Sequence, residues 1–221
     1  MSTKGSKNSA KQPLRIILYG PQASGKGTQA TILAKRYHLP LIVAGDIHRT
    51  AMKKKTPLGR RILHIVDHGK YVPSSLTNAL MTPAIKRASR TGYILDGYPR
   101  KFEQFRFLNR LAPPTVAIEL TLPTTEVIKR LAQRLVCPKG HTYHVTAKPP
   151  RRAGRCDIDG LPLAPRHDDS PAKIRSRLSL HRKFTEPVIA QYRKRGIVIT
   201  VDGRPSIPKV SQALQKALKV F

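Results

Sequence analysis

The sequence predicts a three-layer α/β fold around a central parallel sheet of five strands. Three observations carry this. A short apolar run, Leu14 to Tyr19, ends in a glycine-rich turn and leads into helix-spaced residues from Lys26. Further short apolar runs then alternate with helical stretches along the chain. Two segments break that rhythm and read as inserts on the sheet: Gly45 to Tyr71, polar, basic and helical in pattern, and Val136 to Asp169, rich in Pro, Gly and Arg.

Each element follows from local pattern. Leu14 to Tyr19 is almost continuously apolar, which suits a parallel strand buried on both faces. Lys26 to Tyr37 has helical spacing, with Ile32 and Leu33 apolar and Lys35 and Arg36 near its end. Leu41 to Val43, Tyr93 to Leu95, Thr115 to Leu122 and Ile197 to Val201 supply the other four strands. Helices are expected over Glu126 to Leu135 and Pro171 to Lys194, and no internal repeat is present.

The chain has 221 residues, enough for one sizeable domain with inserts, and 39% hydrophobic residues, enough for a core. Its formal charge is +30, which points toward polyanionic partners rather than toward any fold. With only 12 carboxylates, each acidic residue is a stronger candidate than usual for a specific task. Two cysteines in a chain this size do not make a disulfide scaffold. No apolar run approaches the roughly 20 residues of a membrane span. Residues 1–13 lack an apolar signal core and read as a disordered basic tail. A soluble, cytoplasmic protein is the expectation.

The strongest motif is Gly20-Pro21-Gln22-Ala23-Ser24-Gly25-Lys26-Gly27-Thr28, between a strand and a helix. That is the P-loop pattern, and it makes the fold P-loop NTPase-type. Glycines let the backbone curl so that several N–H groups point at one phosphate. The helix adds its positive N-terminal end, and Lys26 reaches the outer phosphates. Gly27 stands where the general motif has Ser or Thr, so Thr28 supplies the hydroxyl one step later. Asp96 ends a strand beside the P-loop strand, where such proteins place an acid for Mg²⁺.

The loop GPQASGKGTQ, followed by AGDIHR, DGYPR, a long insert and RHDD, resembles the adenylate kinase family in its long-lid bacterial form. The resemblance runs from about Leu14 to the C-terminus. It implies a core of 14–42, 73–134 and 171–221, a helical NMP-binding insert at 43–72 and a LID insert at 135–170. It implies reversible, Mg²⁺-dependent transfer, ATP plus AMP giving two ADP, by a monomer that balances adenine nucleotides. ATP would be held by Gly20, Ala23, Ser24, Gly25, Lys26, Gly27, Thr28, Arg130, Arg134, Thr142, Tyr143 and Arg204. AMP would be held by Ala44, Arg49, Lys70, Tyr71, Val72, Gly97, Tyr98, Pro99, Arg100, Gln104, Arg166 and Arg177. Phosphoryl transfer needs alignment and charge neutralisation, which falls to Lys26, Arg100, Arg134, Arg166 and Arg177. Arg130 and Arg134, four apart, are expected on one helix face. Asp168 and Asp169 would hold the closed lid.

Two departures from the family pattern matter. Ala44 stands where the family carries threonine, and alanine there is what UMP/CMP kinases show; Gln104, whose amide can pair with adenine, and the long insert favour AMP. In the lid, Cys137-Pro-Lys-Gly-His141 and Cys156-Asp-Ile-Asp159 resemble the family's four-ligand zinc pattern with one cysteine replaced. A structural Zn²⁺ on Cys137, His141, Cys156 and Asp159 is expected, with His144 the alternative ligand.

Two other classes compete. A nucleic-acid-binding protein on a P-loop scaffold would use the +30 charge, but aromatic content is 5% with no Trp and no RNP-like or OB-like pattern. The charge instead implies weak, salt-sensitive association with RNA or another polyanion. An inactive scaffold is argued against by Lys26, Asp96 and the arginine set.

Overall fold

The computed structural model describes residues 12–54, 56–166 and 169–220. Most of the tail expected at 1–13, and Asp168, lie outside the described residues. The central strand is β1 (Arg15–Tyr19). Its neighbours are β3 (Tyr93–Asp96) and β4 (Val116–Thr121), with β2 (Leu41–Val43) and β8 (Val198–Asp202) at the edges. The order is β2-β3-β1-β4-β8 and every pairing is parallel.

Alternation along β1 sorts the core into two layers. Ile17 and Tyr19 face one side, with Met81, Ile85, Leu108, Val188 and Ile189 from α4 (Ser74–Ala88), α5 (Phe102–Leu111) and α8 (Glu186–Lys194). Ile16 and Leu18 face the other, with Leu33, Val210 and Leu214 from α1 (Lys26–Tyr37) and α9 (Ile207–Leu218). Pro83 sits inside α4, where it removes a helical hydrogen bond at about 3 kcal/mol. Complete burial of Met81 and Ile85, about 1.5–3 kcal/mol each, offsets that cost.

After β2 the chain turns directly into α2 (Ala44–Lys53) and α3 (Pro57–Asp67). Thr56 caps α3 by accepting from the Gly59 N–H at 3.1 Å. The two helices meet at Gly59, where a β-carbon would lie 2.5 Å from the Ala51 carbonyl oxygen.

One helix expectation is corrected. The helix expected over Glu126 to Leu135 is α6 (Thr124–Ala132), and Arg134 opens strand β5 (Arg134–Val136). Thus Arg130 and Arg134 do not share a helix face. The chain leaves the helix because β5 pairs with β6 (Thr142–His144) and β7 (Ala164–Pro165) in a small antiparallel sheet. The helical stretch expected over Pro171 to Lys194 is present in full, as α7 (Pro171–Leu180), a π-helical turn at His181–Thr185, and α8.

Candidate active site

The site gathers at the carboxyl ends of β1 and β3, where a parallel sheet opens its crevice. Gly20 leaves β1 at φ 135°, and a β-carbon there would lie 2.2 Å from the Leu120 carbonyl oxygen, so only glycine fits. Ala23 and Gly25 also take positive φ, Ser24 is buried, and α1 begins at Lys26. Gly203, a residue the sequence does not single out, packs below the loop. Its N–H donates to the Thr121 carbonyl at 2.9 Å, and a β-carbon would meet the Ser24 carbonyl oxygen at 2.8 Å.

Lys26 Nζ donates to the Gly20 and Pro21 carbonyls at 2.8 and 2.6 Å. Burial lowers its pKa to about 8, and the Asp96 carboxylate partly opposes that shift. Burial raises the Asp96 carboxyl, against the pull of Lys26 and Arg100. Asp96 Oδ2 lies 3.6 Å from where a Gly27 β-carbon would stand, so the carboxylate sits against the first turn of α1. The Asp96 carboxylate lies against the helical turn that also carries Thr28, and as a hard oxygen donor it suits hydrated Mg²⁺.

On the acceptor side, Arg100 Nε donates to the Gly97 carbonyl at 2.9 Å, and its guanidinium lies 5.1 Å from the Tyr71 ring centroid. A β-carbon on Gly97 would come within 2.8 Å of Arg100 Nη2. Tyr98 and Pro99 are joined by a cis peptide bond, and the Tyr98 hydroxyl donates to Asn78 Oδ1 at 2.7 Å. Gln104 is buried, and its Oε1 accepts from the Arg100 backbone N–H at 2.7 Å. Arg49 pairs with Asp46 one helical turn back. Ala44 and Val72 are buried, while Lys70 is exposed.

The remaining arginines form two further groups. Arg130 donates to the Ala23 carbonyl at 3.3 Å and the Arg204 carbonyl at 3.0 Å, tying α6 to the phosphate loop. Arg204 itself is bound to Asp202. Arg134 Nε donates to Asp169 Oδ2 at 2.7 Å, and Arg177 Nη1 lies 3.9 Å from the same carboxylate. Arg166 accepts at its carbonyl from the Asp169 N–H at 3.0 Å.

Thr142 and Tyr143 are not among these groups. Thr142 is exposed on β6, and the Tyr143 ring is buried in the small sheet, its hydroxyl accepting from the Asp157 N–H at 2.8 Å. Beside it stand Cys137, His141, Cys156 and Asp159, whose ligand atoms all lie within 4.8 Å of one another. Four of the six separations run from 3.0 Å (His141 Nδ1 to Asp159 Oδ2) to 3.4 Å (Cys156 Sγ to His141 Nδ1). Tetrahedral zinc with bonds of about 2.0–2.3 Å requires edges of about 3.3–3.8 Å, so these four separations need shift by at most a few tenths of an ångström to hold it. His144 is not in the cluster: its Nδ1 accepts from the Thr146 and Ala147 N–H groups at 3.2 and 3.1 Å.

A model of the family described as adenylate kinase matches residues 18–197. The chain belongs to the adenylate kinase family. It is therefore a nucleoside-monophosphate kinase, a phosphotransferase. The adenylate kinase of Symbiobacterium thermophilum is 39% identical over 213 residues, 93% of this chain and 99% of that protein. Those of Methanosarcina barkeri and Pyrococcus abyssi are each 36% identical, over 94% and 93% of this chain and 100% and 96% of theirs. No helix among the described residues is long and apolar enough to cross a membrane.

Within this adenylate kinase family member, two histidines near the site escaped the sequence. His48, on α2, is near Arg49 and Arg100, and its Nε2 lies 3.4 Å from Thr77 Oγ1. His181, in the π-helical turn, is near Lys26 and Arg100. Burial first, then those cations, lower both to about 4, so both imidazoles are neutral at pH 7. His48 stands inside the AGDIHR run with no role read for it, and His181 lies in no motif. Only their placement one residue before Arg49 and four after Arg177 hints at the site.

Proposed function

We propose that the protein catalyses the reversible reaction ATP plus AMP giving two ADP, with Mg²⁺. The observation that carries this reading is the meeting of Lys26, Asp96 and Arg100 at one end of the sheet, where Lys26 and Asp96 each feel the other's charge and that of Arg100. The loop from Gly20 to Thr28 would cradle the ATP phosphates, and Lys26 would leave its carbonyl partners for the outer phosphate oxygens. Mg²⁺, when bound, would neutralise phosphate charge; Asp96, through water, and Thr28 would hold it. Arg49 and Arg100 would grip the AMP phosphate, and Gln104 would present its amide N–H₂ to the base. Arg134, Arg166 and Arg177 would compensate the charge on the transferring group. An acceptor phosphate is already an anion, so no general base is required.

Segment 135–170 would act as a lid, closing over the phosphates to exclude water as the competing acceptor. Its structural Zn²⁺ would be held by Cys137, His141, Cys156 and Asp159, tying two loops of the lid without touching phosphate. A cytoplasmic monomer with weak polyanion affinity completes the reading.

The test is ADP formation from ATP with AMP, CMP, UMP or GMP. Turnover with AMP is expected, falling at least about 10²-fold in Lys26→Met. Turnover with CMP or UMP alone would transfer the reading to a pyrimidine kinase, in line with Ala44. Wild-type turnover in a folded Lys26→Met variant would end it.

A further inference from the structure

Between α6 and the run formed by α7 and the π-helical turn lies a hollow of about 600 Å³. Thr124, Arg175, Leu178, Ser179, Arg182 and Lys183 line it. Three of these side chains are cationic, two carry hydroxyls, and none is a carboxylate. None belongs to the phosphate loop or to the arginines assigned above to phosphoryl transfer.

The hollow follows from spacing. Positions 175, 178, 179, 182 and 183 share one face of a continuous helical run, while Arg177 and His181 fall on the opposite face, toward the site. Arg182 Nη2 donates to Thr124 Oγ1 at 3.1 Å, which links the run to the first residue of α6 and orients the guanidinium. The lining residues Arg182 and Lys183 fall within a π-helical turn, a rare geometry that concentrates at functional positions. With no carboxylate among the described lining residues, these like charges repel one another, and an anion relieves that repulsion.

We propose that this hollow is an accessory site for a small, multiply charged phosphate anion of the pyrophosphate type. Guanidinium forks match phosphate oxygens in pairs, and the volume admits more than one phosphate group. Among the described residues no aromatic side chain lines the hollow, so these residues offer no platform for a base. A bare phosphate chain therefore fits it better than a nucleotide or a single-stranded RNA.

The test uses the full-length protein, with its phosphate loop filled by a non-hydrolysable ATP analogue together with AMP. Pyrophosphate is then titrated while backbone amide shifts are followed by NMR. Saturable shifts at Thr124, Ser179 and Lys183 are expected. Binding weakens by at least roughly ten-fold in the Arg175→Gln, Arg182→Gln, Lys183→Gln triple variant. Ser179→Glu, which places a carboxylate in the hollow, gives the same loss and replaces the triple variant should that fail to fold. Shifts that grow without saturating, an affinity unchanged in both variants, or a response to short single-stranded RNA but not to pyrophosphate would each overturn the proposal.

Discussion

Asp169 holds two arginines at once: its carboxylate accepts from Arg134 Nε at 2.7 Å and lies 3.9 Å from Arg177 Nη1. It thereby links β5, at the start of the 135–170 segment, to α7, just beyond its end. The carboxylate is 6% exposed and both arginines 15%, so solvent screens the group little. Asp169→Asn removes a buried carboxylate that both cations share. A loss of about 3 kcal/mol in urea unfolding is expected. A loss below about 0.5 kcal/mol would show that the group behaves like an exposed surface pair.

The lowered pKa of Lys26 sets a pH limit. With the group near 8 in the nucleotide-free protein, its charge is lost as pH rises through that value. The expected profile of kcat/KM for ATP is flat up to about pH 8, then falls about ten-fold per pH unit. Loss of kcat comes later, because a bound triphosphate favours the ammonium. Stability moves the other way. An unfolded lysine near 10.5 holds a proton that the folded one has released between about 8 and 10.5, so this group's contribution rises with pH across that window. Circular dichroism should therefore show an intact fold while kcat/KM falls. A profile flat to pH 10 contradicts the assignment.

The two neutral histidines predict the opposite limb. His48 and His181 titrate near 4 when folded and near 6.5 when unfolded. Between those values the unfolded chain binds more protons, so stability is lost as pH falls from about 6.5 toward 4. Replacing His181 by Phe should flatten that acid limb in urea titrations, while Lys53→Gln on the exposed end of α2 should not.

What the sequence shows and what it hides divide along contact range. The ends of β1, α1 and β2 were readable because an apolar run meets a glycine loop or a short turn, and each cause is local. The end of α6 was not. Arg134 continues the helical spacing of Arg130, and what pulls it into β5 is pairing with His144, ten residues on. The same holds for chemistry. Lys26 and Asp96 sit in motifs, whereas nothing beside His181 in the chain says that the fold carries it toward Lys26. Gly203 looks like a turn glycine until the Ser24 carbonyl is seen above it.

Gln104 separates two roles that its motif position merges. Its Oε1 accepts from the Arg100 N–H, so one oxygen lone pair is occupied and the amide N–H₂ remains for a base. Gln104→Leu strands a part-buried N–H and loosens Arg100, costing about 1–3 kcal/mol and raising KM for AMP by at least about ten-fold. Gln104→Glu keeps an acceptor for Arg100 but loses the amide donor. If KM for AMP stays high in Gln104→Glu while stability recovers, the amide reads the base. Recovery of both shows that Gln104 serves only to position Arg100.

The Cys137, His141, Cys156 and Asp159 cluster predicts a metal whose loss is felt locally. The small sheet of β5, β6 and β7 has strands of three, three and two residues, too little to hold itself together in water. Its apolar satellite is small as well, Tyr143 and the two cysteines with Leu135, Leu161 and Leu163 around them. A tetrahedral ion adds RT ln(1 + [L]/Kd), about 3–4 kcal/mol at 100 to 1,000 times Kd, which is the scale needed. Protein purified without chelator should carry close to one zinc per chain, and less than about 0.2 rejects the site. Stripping the metal should speed hydrogen exchange across β5 to β7 and leave the exchange of β1 and β3 unchanged. Cys156→Ser should lose the metal. Tyr143→Phe removes the hydroxyl that meets Cys156 and the Asp157 N–H but no ligand, so it should keep zinc while loosening the same sheet. If both variants keep zinc, the ligand assignment is wrong even though the metal is real.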